Sequence, residues 1–518
     1  MKPAAVVIPP RRSLAFFAVL AMLMVIGSYL LILVLAAGCV YLSWLALIHI
    51  TNFQTLALFV GGIAVAGAML WSLVPRRDKF EAPGLPLDRP SHPRLFAELD
   101  NIASALGEPL PREVYLIGEP NAWVADRGGV MGFGSRRVMG LGLPLLAALT
   151  ISQFRAILAH EFAHYYGGDT SLGPWLRRAQ VAMLRTFQSI GSVGNAMRVA
   201  VIQVLYMVVF GILKWYWLLF LRAINFVSRR QEYRADELAC MVAGPQAMVS
   251  GLRNVHGASL AWPAYWTTEL VPMLNMGCLP SITQGFSQFL AAPTVAEQVT
   301  KGIETEMREG KTEPYDSHPP LRDRIAAAEA LSIQSQTDDL QPAWNLMEDV
   351  GSAELSFLEA ANPDLAKNSL KRVSWDEQGT KVLIPSWTGF VSEYAPLLQG
   401  ITAANLPESL GKVPQIAPQI RDPEGMLLTP EQRIKRARSL LGTAFGLALV
   451  GNGWTLHATP GEFHLDRNGH QIDPFQVMLQ LSDGVISKEE WSAKCKELGI
   501  EDLQLSSKEK TDSAGHGN

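Results

Sequence analysis

The chain has 518 residues, a net charge of -4, 48% hydrophobic residues and only 18% charged ones. Soluble domains carry about 25% charged residues, so part of this chain is built to avoid water. High hydrophobicity excludes disorder, the 43 glycines show no collagen-like period, 4 cysteines are too few for a disulfide scaffold, and the near-neutral balance gives no reason to expect nucleic acid.

Residues 1–12 are a basic N-terminus containing Lys2, Arg11 and Arg12. From Ser13 to Pro75 there is no Asp, Glu, Lys or Arg. As one helix this run would measure about 95 Å against a bilayer core of about 30 Å, so 13–75 reads as two transmembrane helices. They are placed at Leu14 to Ala36 and Phe53 to Val74, joined by the more polar His49, Thr51, Asn52 and Gln54. A secretory signal peptide is the competing reading of the first, but its apolar part is too long and a second follows directly. Arg76, Arg77 and Lys79 follow the pair as Lys2, Arg11 and Arg12 precede it. The positive-inside rule then puts both flanks in the cytoplasm, and unpaired Cys39, Cys240, Cys278 and Cys495 agree with a reducing compartment.

The stretch from Gln153 to Asp169 has helical periodicity, with Phe154, Ile157, Leu158, Phe162 and Ala163 apolar. Thr150 or Ser152 offers an N-cap and Gly167-Gly168 a stop. Within it, His160-Glu161-Phe162-Ala163-His164 is the H-E-x-x-H pattern. Spacing of four places both imidazoles on one face, one turn apart, within reach of a single zinc ion. Glu161 lies beside His160, where it can take a proton from water at the metal. Two surface histidines on an amphipathic helix would be the plain alternative. It fits poorly, because the helix is apolar nearly all round and a buried His-Glu-His cluster without a metal would need several other partners.

Two histidines leave zinc short of a third protein ligand. In Ser228 to Ala239, Glu232 and Asp236 again lie four apart on one helical face. Glu232 suits the third ligand and Asp236 a hydrogen-bond acceptor for a ligating imidazole, while Arg234 and Glu237 read as solvated. Alone this pair is weak evidence, since carboxylates so spaced usually mark a wet face.

The strings AHEFAHYYGGD (159–169) and SRRQEYRADELA (228–239), followed by Ser317-His318-Pro-Pro-Leu-Arg-Asp-Arg324-Ile, resemble the HtpX and CAAX-prenyl-protease family of integral-membrane zinc endopeptidases. The resemblance covers roughly Pro90 to Ala330 and implies an α+β, mainly helical, zincin-like domain holding one Zn2+ per chain. It implies His160, His164 and Glu232 as ligands, Glu161 as general base and Asp236 as support for a ligand. His318 is implied to lie near the metal and steady the tetrahedral intermediate. The alternative for His318 is a loop residue capping the helix that starts near Pro320. Asn121-Ala122-Trp123 is similar to the family's segment before a hairpin whose edge strand holds substrate backbone; a plain turn at Asn121 is the alternative. The pattern agrees, since Glu113 to Ile117 and Arg137 to Leu143 read as strands and Arg127-Gly128-Gly129 as a turn.

A second apolar stretch, 199–227, contains Lys214 and Trp215-Tyr216-Trp217. A single crossing there would put Glu232 on the opposite side of the membrane from His160 and His164. The stretch therefore crosses an even number of times or not at all. Its length favours a long amphipathic or re-entrant element in the interface, with a full hairpin including Val181 to Ala200 as the alternative.

The domain reading is a metallopeptidase domain over 76–332, a mixed accessory region over 333–423, a C-terminal domain over 424–505 and a disordered tail over 506–518. Within these, Ser332 to Gln341 and Pro414 to Pro423 read as linkers, Val382 to Trp387 as a strand and Thr429 to Val450 as a core helix. His457, His464 and His470 fall in a small β unit where a second metal site is a minor alternative, and Pro474 to Gly499 is a helical hairpin that docks or oligomerises. The expectation is an integral membrane zinc endopeptidase of the bacterial inner membrane, active on proteins or peptides in quality control or processing, with homo-oligomers possible. A catalytically idle zinc scaffold is the alternative. A transporter is disfavoured because, His49 apart, the N-terminal run lacks intramembrane ionisable residues.

Overall fold

The computed structural model describes residues 15–74, 79–129, 134–165, 183–188, 200–311, 318–333, 337–362, 370–422 and 427–506. The basic N-terminus, Arg76 and Arg77, the Gly167-Gly168 stop, Ser317 and the tail beyond 506 lie outside them. The described residues are mainly helical with three small sheets. They divide into two compact units, Met1–Leu260 with Val299–Asn362, and Ala261–Gln298 with Pro363–Asn518.

In the first unit, α1 (Ala15–His49) and α2 (Phe53–Leu73) form the expected apolar pair. Helix α1 continues past Ala36 to His49, because Ser43 donates back to Cys39 O at 2.6 Å within the helix and the turn residues Thr51 and Asn52 come only after it. Asn52 caps α2, accepting from Thr55 N at 2.9 Å while Thr55 Oγ1 accepts from Asn52 N at 3.1 Å. The two helices approach closely at Gly62, where a Cβ would lie 2.5 Å from Ser43 Oγ and 2.8 Å from Cys39 O. Only glycine permits that approach.

Helix α6 (Ala200–Ala243) corrects the expected interfacial element. It is one continuous helix, with Val209 and Leu213 buried against Ile32, Ala36, Val65 and Met69 of the pair. Tyr216 donates its hydroxyl to Met24 O of α1 at 2.6 Å. By length and composition α1, α2 and α6 can each cross a membrane, and we read the crossing part of α6 as ending before Arg229. Helical residues 183–188 lie beside α2 and α6, with Thr186 Oγ1 2.7 Å from Ser72 Oγ and Phe187 packed on Phe210 and Trp217. The described residues thus place the chain beside the pair at 183–188 and again along α6, while residues 189–199 between the two lie outside them.

The sheet of this unit has the order β1-β2-β4-β3, with β1 (Leu85–Leu87), β2 (Glu113–Ile117), β3 (Ala122–Arg127) and β4 (Arg136–Gly142). β2 and β4 are parallel and the other pairs antiparallel, so β3 is an edge strand. β4 stops one residue short of Leu143 because Pro144 opens α4 (Leu143–Ala148). Gly140 faces the Trp123 indole, where a Cβ would fall 2.5 Å from a ring atom. Helices α3 (Pro93–Leu106) and α5 (Ile151–Ala163) pack together, and Leu95, Leu99, Leu116, Leu141, Phe154, Leu158 and Phe162 are fully buried.

The described residues 337–362 pack with this first unit, because the expected linker segment occupies the first free N–H groups of α5. Ile151 N donates to Gln341 O at 2.8 Å and Ser152 N to Asp339 O at 3.2 Å. A polar composition hid this, since its partners are backbone groups.

In the second unit, α9 (Pro430–Gly451) is the expected core helix, with Leu440, Leu441, Ala444, Phe445 and Leu449 fully buried, and a capping box of Thr429 and Gln432 starts it. Strands β5 (Thr455–Thr459), β6 (Glu462–Arg467) and β7 (His470–Ile472) form the small β unit. The terminal hairpin, α10 (Pro474–Ser482) and α11 (Lys488–Leu498), docks on this core through Trp491, whose indole N–H donates to Ala403 O at 2.8 Å. Two expectations fail. Residues 379–383 form a π-helical turn leading into α8 (Ile384–Glu393) instead of a strand, and Pro385 sits where a helix N-terminus tolerates it. The supposed linker after Pro414 buries Ile416, Ala417 and Ile420 in a core shared with Leu440 and Trp491, so 394–505 is one body. All four cysteines are free and buried.

Candidate metal centre

Three elements build the site. α5 supplies His160, Glu161 and, as its C-cap, His164. Its start is set by a capping box in which Thr150 N donates to Gln153 Oε1 at 3.0 Å and Gln153 N to Thr150 Oγ1 at 3.3 Å. The last turns of α6 bring Glu232 and Asp236, and α7 (Leu321–Glu329) brings Arg324 behind the loop residue His318.

His160 Nε2 lies 3.2 Å from His164 Nε2 and 3.4 Å from Glu232 Oε2, and His164 Nε2 is 3.5 Å from Glu232 Oε1. Ligand atoms about 2.0–2.2 Å from one centre in a tetrahedron are about 3.3–3.5 Å apart, so these edges match a zinc site. Glu232 Oε2 is buried without a well-aligned hydrogen bond, although His318 Nδ1 is 3.1 Å away. A buried carboxylate oxygen left so is costly unless a cation takes it. The donor set therefore fits zinc, and among the described residues it is the one cluster of this kind.

His160 Nδ1 is 2.8 Å from Asp236 Oδ1, which orients the ring with Nε2 toward Glu232 and His164. Asp236 is in turn gripped by Arg324, whose Nη2 donates at 2.6 Å and Nε at 2.9 Å to its two oxygens. Arg324 Nη1 also stands 3.7 Å from Glu232 Oε2. Sequence reasoning assigned Arg324 no role. A signal existed: on α7 the buried positions are Leu321, Arg324, Ile325 and Ala328, so an arginine interrupts the apolar stripe.

Burial pulls His160 down, but its contacts to Asp236 and Glu232 win and raise it to about 9. Burial, with His160 next to it, drops His164 to about 4, so it is neutral and ready to bind a metal. Burial is also what pushes the Glu161 carboxyl up to about 7, reinforced by Glu232. Glu161 remains partly exposed, so water reaches it. A bound zinc charge pulls Glu161 down from there. Because only the ionised carboxylate accepts a proton, kcat/KM of the zinc protein is expected to rise with pH as Glu161 ionises and to level below about 7, as a pH–rate profile would record.

His318 does not cap α7, whose N-terminal residue Pro320 has no side-chain cap; it faces the cluster and keeps an exposed side chain. Asn121, Ala122 and Trp123 sit at the start of edge strand β3, Asn121 exposed and Ala122 buried. Glu237 is not solvated as expected but buried, 2.7 Å from Arg234. His457 and His464 stack across β5 and β6 with centroids 5.1 Å apart, while His470 pairs with Arg467, three positions along β6 from His464, so no third histidine joins them.

An H-E-x-x-H helix completed by a distant glutamate and a buried Asp–Arg support defines a metalloprotease, a hydrolase of peptide bonds. Residues 91–332, just under half of the chain, match the model of peptidase family M48. The chain is similar to protease HtpX homologs. It is 24% identical over 303 residues to that of Chlorobium phaeobacteroides (strain BS1), covering 55% of this chain and 85% of the relative. It is 25% identical over 251 residues to that of Prosthecochloris aestuarii, covering 46% and 71%, and 22% over 301 residues to that of Janthinobacterium sp., covering 54% and 87%. With its apolar helices, the protein is a membrane-bound metalloprotease.

Proposed function

We propose that this protein is a zinc endopeptidase with one ion per chain, held by His160, His164 and Glu232. The observation that supports it best is the convergence of those three donors on a buried carboxylate oxygen that lacks an aligned partner. Zinc bound there supplies Lewis acidity to an attacking water and to the scissile carbonyl. Glu161 accepts the proton of that water and hands it to the leaving amine. Asp236 holds the His160 ring through Nδ1, and Arg324 fixes Asp236. His318 stands on the open side of the cluster, where its ring can donate to the oxygen on which negative charge develops. The outer edge of β3 takes the substrate as an added strand, beginning at Asn121-Ala122-Trp123. Chelation is expected to abolish casein cleavage and zinc to restore it; a chelated protein that cleaves at full rate would leave the zinc-scaffold reading in its place.

We also place the catalytic unit on the cytoplasmic side of a bacterial inner membrane, on the basic residues flanking the pair, with extended segments of membrane proteins as substrates in quality control or processing. The native cysteines are buried, which makes labelling of introduced ones clean. Thr51→Cys should react with an impermeant maleimide from outside intact cells, and Glu119→Cys and Glu329→Cys only after permeabilisation. Reaction of Glu119→Cys in intact cells would reverse the orientation.

A further inference from the structure

Tyr165 directly follows the ligand residue His164, and its backbone is held at the helix end by Tyr165 N donating to Phe162 O at 2.9 Å. Its hydroxyl donates to Val124 O of β3 at 2.9 Å. The direction of that carbonyl follows from the register. Arg137 O accepts from Arg112 N on the β2 side, so the backbone of Arg137 faces β2 and that of Val138 faces β3. Val138 pairs with Ala125, so Ala125 turns its polar groups inward. In an antiparallel pair the direction alternates, and Ala122, Val124 and Asp126 turn theirs toward the open edge. Tyr165 therefore occupies the middle acceptor of the free edge. Its ring is held as well: the Arg137 guanidinium covers it 4.0 Å from the centroid, and Glu108 anchors Arg137 at 3.0 Å.

Resting on the edge-strand reading above, we propose that Tyr165 is a gate on that edge, which an extended substrate displaces when its backbone pairs past Ala122 to Val124. A short peptide that pairs with Ala122 alone leaves the gate shut; a longer one must open it. The gate thereby tunes the enzyme's preference for peptide length, and it does so from the residue next to a metal ligand.

The test compares full-length, zinc-loaded wild type and Tyr165→Phe in detergent, on a tetrapeptide and a decapeptide sharing one scissile bond. Phenylalanine keeps the ring under Arg137 and removes only the hydroxyl. The ratio of kcat/KM for decapeptide over tetrapeptide should rise about 5-fold, the worth of one hydrogen bond, mainly through a lower KM for the decapeptide. Arg137→Gln, which loosens the ring instead, should move the ratio the same way. An unchanged or smaller ratio in both variants overturns the gate. A decapeptide N-methylated at alternate backbone amides separates the two ideas. If wild type cleaves it as fast as the parent, strand addition itself is wrong; if methylation slows it at least about tenfold and the variants do not shift the ratio, only the gate is wrong.

Discussion

Glu161→Gln is expected to lower kcat/KM by about 10³- to 10⁴-fold while the protein keeps its zinc. Glutamine preserves the shape and most hydrogen bonds of the carboxyl but accepts no proton, and Glu161 is not among the three converging donors. The loss should therefore appear in turnover, with zinc content by atomic emission and the thermal midpoint both near wild type. A variant that keeps zinc and cleaves at the wild-type rate would remove Glu161 from the mechanism. Loss of zinc would instead show that the carboxyl helps hold the metal.

Arg324→Ala is expected to be the most destabilising single change near the site, by about 3–5 kcal/mol, because it strips the cation from buried Asp236 and Glu232. Both carboxylates are then left in an interior that cannot solvate them, and His160 loses the fixed partner that aims its ring. Adding Asp236→Asn to Arg324→Ala should recover part of the loss, since one uncompensated charge disappears with it. Thermal midpoints of the two single variants and the double give the coupling. Strict additivity would show that the Asp236–Arg324 contact is not what Arg324 contributes.

The local determinants were legible wherever chemistry depends on spacing along one helix. His160 and His164 share a face because they are four apart, and Glu232 and Asp236 repeat that spacing on α6. Capping boxes at Thr150, Thr429 and Ser487 set helix starts from residues three apart. A metal shared by His164 and Glu232 requires an even number of passes between them or none, and composition could not choose among the ways to achieve it. An interfacial element was expected, and the contacts of Val209, Leu213 and Tyr216 with α1 and α2 made it a helix of the bundle.

What stayed hidden depends on partners distant in sequence. Arg324 lies 88 positions from Asp236, and Glu237 is buried by elements that no window around it contains. Asp339 and Gln341 look like linker because their partners are the unpaired backbone N–H groups of α5. The run from Val413 to Ile420 looks like linker because prolines mark turns whether or not the turn is packed.

By itself, then, the sequence determined the class of chemistry, the candidates His160, His164 and Glu232 for a metal and Glu161 for a base, and the presence of membrane helices, because periodicity and charge exclusion act over one or two turns or one uninterrupted run. Only the tertiary structure decided that α6 joins the helix pair, that Arg324 neutralises the buried carboxylates, and that Tyr165 reaches the edge of β3. Burial and charge pairing are set by whichever groups the fold brings within a few ångströms, and no local pattern encodes that proximity.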